Sequence, residues 1–341
     1  MKYVVDIPRV LEEKVREIIA KGEFRDVNHF VNVAVENQLN AEQTAWSKQL
    51  PSSAPDPEPG AMLDKFLASP TFEGQASIKT TREATDEEVL EKILWGQYYR
   101  FLPVKFSLRL LANQTGDFPR LVVFKDIASN AAEDFGNGLR KLDLASGNKS
   151  GEKISVSFPD HSDKSRRRFS EQYIGFVRSS DHKSSGMLLQ LRFARVFDDN
   201  QIERIGLTES GRRFAALENP LLDGRQTSPI FSPAEIDFLI KHICEKLPQE
   251  ARHMGVILDN LLNGGKGRND LNLSLEGFYR TFQPLDRVWT KDMINLMRAG
   301  AMSRMWELGM IEKVRAGLLV TYKATSLGES YRPQLLGARS H

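Results

Sequence analysis

The chain has 341 residues, 40% of them hydrophobic and 27% charged, with a formal net charge of +2 at neutral pH. That length exceeds one typical core and points to two or three domains, and so even a charge balance leaves any polyanion site to local clustering. No apolar run is long enough to cross a bilayer, no signal-peptide core opens the chain, and the lone Cys244 leaves no intramolecular disulfide framework, so a cytoplasmic protein with no membrane contact is expected.

Met1 to Ile7 read as one short alternating strand, with Tyr3, Val5 and Ile7 on one side and Lys2, Val4 and Asp6 on the other. Pro8 suits the junction to a helix whose apolar face is Leu11, Val15, Ile18 and Ile19. Gly22 ends it. A second helix follows with Val27, Phe30, Val31, Ala34, Val35 and Leu39 on one face, and Asp26 or Asn28 as N-cap. A lone strand cannot satisfy its own backbone donors and acceptors, and pairing with a second copy of the chain is the economical remedy. A homodimer is therefore expected.

This order of strand, Pro8, helix, Gly22 and Phe30 helix resembles the ribbon-helix-helix family of dimeric DNA-binding proteins over residues 1–41. The resemblance implies a two-stranded ribbon in the major groove of double-stranded DNA, with Lys2, Val4 and Asp6 facing the bases. It also implies a phosphate at the start of the second helix, beside Arg25. A ribbon that only dimerises the protein is the competing reading.

Residues 42–84 form a linker. Pro51, Pro55, Pro57 and Pro59 are interleaved with Ser, Ala, Asp and Glu, a composition that favours an extended, semi-stiff spacer. The pattern Thr85-Asp86-Glu87-Glu88 predicts a capping box opening a helix through Val89, Ile93 and Leu94. Further helices are expected from Pro103, from about Lys125 through Phe135, and from about Asp163 to Val177, with a polar loop from Ala145 to Asp160. Met187 to Phe197 and Gln201 to Leu207 read as two strands, after which Thr208-Glu209-Ser210-Gly211 opens a helix. The last third repeats this plan. Ser232-Pro233-Ala234-Glu235 is a capping box, helices follow near 233–246, 249–263 and 290–308, then a hairpin of Ile311 to Val314 and Leu318 to Lys323, then Thr325-Ser326-Leu327-Gly328.

Helices, a two-stranded hairpin and a Thr-x-x-Gly exit resemble winged helix-turn-helix domains of prokaryotic regulators, most closely along Trp306-Glu307-Leu308-Gly309-Met310-Ile311 and onward to Thr325. The expected class is thus mainly α with small β elements: a ribbon-helix-helix unit at 1–41, the linker, and two winged-helix-like domains at 85–225 and 226–341. In such a domain the helix before the hairpin enters DNA. Here that helix offers Lys291, Asn295 and Arg298, with Arg304 at its margin and Arg315 on the hairpin. A solvated helix face would give the same pattern.

The densest basic run is Lys164-Ser165-Arg166-Arg167-Arg168, with Lys183, Arg192, Arg195 and Arg204 nearby. Positive charge at a helix start opposes the macrodipole, which suggests a phosphate as the intended neighbour. No Cys/His spacing fits a metal, and no nucleophile or paired-carboxylate pattern appears, so neither an enzyme nor a cofactor is expected. The reading is a homodimeric, sequence-specific double-stranded-DNA-binding protein, a transcriptional regulator. The alternative is a non-enzymatic adaptor of a plasmid-maintenance or antiviral-defence system, whose winged helices bind another protein.

Overall fold

The computed structural model describes Glu13, Val15, Arg16, Val27 and residues 78–89, 92–114, 117–148, 152–224, 226–264, 268–281, 289–316 and 319–338. The chain divides into two compact units, Met1–Asp56 and Pro57–His341. In the first, the four described residues are helical, with Val15 buried and Val27 exposed. The expected strand at 1–7 and the residues Lys2, Val4, Asp6 and Arg25 lie outside the described residues.

The second unit is mainly helical, with small antiparallel sheets. Its centre is α1, Leu102–Ala112, buried at every position. A helix apolar on nearly all sides has no face to give to water and settles in the interior. The long helix α2, Leu121–Ala145, packs Leu121, Phe124, Ala128, Ala131, Phe135 and Leu139 inward at helical spacing. Then come α3, Asp163–Phe169, continued by a π-helical turn at Ser170–Ile174, and a short sheet of β1, Phe176–Val177, with β2, Ser184–Ser185. The first half closes with α4, Met187–Gln190, the hairpin β3, Ala194–Asp199, with β4, Ile202–Leu207, and α5, Glu209–Ala216. The second half holds α6, Pro233–Lys246; α7, Pro248–Leu262; α8, Arg268–Arg280; α9, Lys291–Glu307; the hairpin β5, Ile311–Ala316, with β6, Leu319–Ala324; and α10, Ser326–Gly337.

Several expectations are corrected. Thr85 N–H does donate to Glu88 Oε2 at 2.9 Å, but only a turn results. The Glu88 carboxylate is also held by Arg82 and Arg195, and Val89 bridges to Ser184, so the chain runs extended where a helix is predicted. The helix from Asp163 stops at Phe169, because the π turn ends on Gly175 at φ 108°. Met187 to Gln190, buried all round, form one helical turn rather than the start of a strand. The helix α8, with Leu271, Leu275, Phe278 and Tyr279 buried at helical spacing, stands where the sequence reading assigns no element.

At the exits of the two hairpins the halves match residue for residue. Thr208 Oγ1 accepts from Gly211 N–H and donates to Arg192 O at 2.7 Å; Thr325 Oγ1 accepts from Gly328 N–H and donates to Gly309 O at 2.7 Å. Thr208 N–H bonds Phe193 O, and Thr325 N–H bonds Met310 O, each at 3.0 Å. A Cβ on Gly211 would lie 1.8 Å from Phe193 O, and one on Gly328 would lie 2.2 Å from Met310 O, so both helices need glycine to start against the hairpin. In this register Gln190 matches Glu307, and Arg192 at φ 56° matches Gly309 at φ 70°.

One contiguous core runs from Ile93 to Leu335, and buried polar contacts cross the expected boundary at 225/226. Lys105 and Glu235, neither exposed, pair at 3.0 Å, and Lys105 Nζ also donates to the carbonyls of Phe214 and Leu217. Within the first half, Arg109 grips Asp223 with both terminal nitrogens. From the other side, Glu307 on α9 accepts from the N–H groups of Phe101 and Leu102, closing the start of α1. Arg304 pairs with Glu250 at 2.7 Å and donates to Tyr98 O. The second half thus completes the backbone of the first.

Candidate nucleic-acid interface

The basic run lies on α3, which is fixed to the core by a chain of rings. Phe106 stacks on Phe135, Phe158 meets both edge-on, and Phe169 stacks on Phe158 and leans on Tyr173, with centroids 4.8 to 6.2 Å apart. Each such pair adds about 0.5–1.5 kcal/mol beyond its buried area. With Phe169 and Tyr173 turned inward, Lys164, Arg168 and Gln172 share the outer face at four-residue steps.

These three residues form a ridge between two grooves, each of about 470 Å³. One groove is lined by Trp95, Gln97, Tyr98, Phe176 and the paired Arg167 and Glu171, the other by Tyr99, Phe158, Pro159, Asp160 and Tyr173, and both take in Lys164, Arg168 and Gln172. Gln172 Nε2 donates to Gln97 Oε1 at 2.7 Å. Phe176 is 37% exposed, and the half-buried Lys125 ammonium lies 5.9 Å from its ring centroid. Lys164 and Arg168 are exposed and carry no ion pair among the described residues. Basic side chains beside amides and aromatic rings suit a phosphate backbone with bases close by.

The neighbouring arginines are already neutralised. Arg166 is held by Glu133, 2.7 Å away, and by Asp163, while Arg167 pairs with Glu171 at 2.8 Å. The expected phosphate at the start of α3 is displaced by the protein's own groups. Ser162 caps Ser165 N–H, and Asp160 accepts from Ser162, bonds that hold the Asp160 carboxyl below its usual range. The four-residue step was the sequence signal for this ridge, and reading the arginines as a consecutive run hides it.

The other candidates lie elsewhere. Lys183 is half-buried after the Arg178–Asp181 pair, and Arg192 is bound to Asp86. Lys291 is exposed at the start of α9, but the rest of its expected DNA face is covered. Asn295 and Arg298 are both bonded to Asn272 on α8, with Arg298 6% exposed. Arg304 is fully buried. The side chain of Arg315 lies outside the described residues. The unforeseen α8 thus takes Asn295 and Arg298, and Glu250 of α7 takes Arg304. The buried α4 is equally unavailable as the matching helix of the first half.

Among the described residues no three His, Cys, Asp or Glu side chains gather where a metal ion could be held. Burial pushes the pKa of His242 down to about 4, and its Nε2 lies 2.7 Å from Leu191 O. Burial also raises the Cys244 thiol to about 11, so neither group is set up for acid–base or nucleophilic work at neutral pH. No described helix is long and apolar enough to cross a membrane. Comparison with known proteins finds no matching family model, no matching curated protein and no matching solved structure.

Proposed function

We propose that the chain is a cytoplasmic, homodimeric, sequence-specific double-stranded-DNA-binding protein that regulates transcription. The ribbon-helix-helix resemblance of residues 1–41 supplies the dimer and the base-reading element. The two winged-helix-like units form the body, and the body supports binding through the Lys164–Arg168–Gln172 ridge. That ridge carries the reading, because its two cations face solvent unmatched between grooves rich in aromatic and amide groups. Tethering head and body to one duplex raises affinity through effective concentration.

The test is duplex binding by fluorescence anisotropy across a salt series. Each neutralised phosphate contributes about 0.9 to the slope of log K against log salt. Replacing Lys164 and Arg168 together by Ala should lower that slope by about two. Arg167→Ala, which removes a cation already paired with Glu171, should change it by well under one. An unchanged slope in the double variant refutes the assignment.

The adaptor reading has its own support. Val122, Val123 and Ile127 on α2 are 56%, 43% and 40% exposed, an apolar strip of a kind that binds proteins. The helices before both hairpins are also withdrawn from any duplex. On that reading the salt series shows no duplex binding, and Val123→Asp abolishes capture of a protein partner.

A further inference from the structure

The repeat provides an internal reference for one site. In the second half, Glu307 ends α9 and its carboxylate closes the N-terminus of α1. In the first half, its counterpart Gln190 ends α4 and lines a cavity of about 280 Å³ at the N-terminus of α7. That helix has no side-chain cap at Leu247 and has Pro248 as its first residue. The N–H groups of Gln249 and Glu250 therefore lack a partner within the helix. Gln190 is 1% exposed, and neither its carboxamide oxygen nor its nitrogen has a partner. Buried polar groups left unmatched are costly and are rare without a reason.

The remaining wall carries three cations, Lys92, Arg192 and Lys246, against two acids, Asp86 and Glu245. Lys92 is exposed and unpaired, Arg192 has a buried Nε without a partner, and Lys246 is shared with Glu83. Of the acids, Asp86 is committed to Arg192, and Glu245 is exposed. Arg192 moreover occupies a left-handed backbone position that its counterpart fills with Gly309. An arginine kept at such a position costs backbone strain, a cost that points to use of its side chain.

We propose that this cavity is an effector site for a small organic anion, whose carboxylate or phosphate takes the place at α7 that the Glu307 carboxylate takes at α1. The anion accepts from the N–H group of Gln249, which lines the cavity, and gains from the helix dipole. Lys92 supplies countercharge, and the Gln190 amide bonds a polar edge of the same molecule. The volume admits a compact metabolite and excludes a polymer. The site joins α4 of the first half to α6 and α7 of the second, so an occupant bears on the packing of both.

The test is thermal unfolding of the full chain at fixed ionic strength, with inorganic phosphate, citrate and AMP as separate probes against chloride. At least one probe should raise Tm saturably by a few degrees. Gln190→Glu should install the counterpart's carboxylate, raise the unliganded Tm and remove the response. Gln190→Leu should fold but respond at least tenfold more weakly. A rise that persists in Gln190→Glu marks an adventitious ion only and overturns the proposal. So does the absence of any saturable rise, or a Gln190→Glu protein that melts below the parent. The readout is independent of DNA binding, so its failure is distinct from failure of the salt series.

Discussion

Replacing Lys105 by Met tests whether the buried pair at the centre of the body holds its two halves together. Met matches the aliphatic stem, so little cavity results. The variant leaves the Glu235 carboxyl without its cation in a fully buried position, and takes the ammonium donor from the carbonyls of Phe214 and Leu217. Breaking one side of a buried pair costs about 3–5 kcal/mol. For a body of this size that corresponds to a fall in Tm of about 10 °C. The double variant Lys105→Met with Glu235→Leu removes both charges. It forfeits the Ser232–Glu235 capping box, worth about 1 kcal/mol, yet should recover most of the loss. Burial pushes Lys105 down to about 8 and Glu235 upward, the directions expected of charges that fare better in water. Urea unfolding of the four proteins of the cycle measures the coupling. A single variant losing under about 1 kcal/mol, or a double variant as weak as the sum of the singles, refutes the reasoning.

Other expectations follow from the same contacts. Burial raises the Glu307 carboxyl to about 7, so the folded state keeps a proton that the unfolded chain releases near its ordinary value. Stability should therefore fall as pH rises through that window, by at most about 3 kcal/mol, and Glu307→Gln should flatten the urea-midpoint profile between pH 5 and 8. Gly211→Ala and Gly328→Ala each drive a methyl into a backbone carbonyl and should cost about 3 kcal/mol, read by circular dichroism melts. Gly277→Ala, exposed inside α8 with no atom within 4 Å of the new Cβ, should instead gain about 1 kcal/mol.

The elements legible in the sequence were those fixed by local chemistry. The Ser232–Glu235 capping box, Pro233 at the first helical position and the two Thr-x-x-Gly starts depend on residues within one turn, and they appear where spacing places them. The misassigned elements were decided from afar. Val89 is drawn into an extended bridge by Ser184, and the turn at Met187 is settled by burial on every side, which erases any period. The DNA face expected on α9 fails for a related reason. Arg298 and Arg304 look like solvent residues on a helical projection, but Asn272 and Glu250, distant in sequence, take them into the interior. Lys164 and Arg168 were named as part of the basic run, yet only the acids beside Arg166 and Arg167 single them out as the free cations. Gln190 gives no sequence signal, because its interest lies in having nothing to bond.

The carboxylate that closes α1 comes from residue 307, some two hundred positions downstream of the helix it completes. During synthesis, the most interior segment of the body therefore waits with its first amides unsatisfied until residue 307 has left the ribosome. A nascent product stalled near residue 225 would expose the apolar surface of α1 to chaperones and proteases.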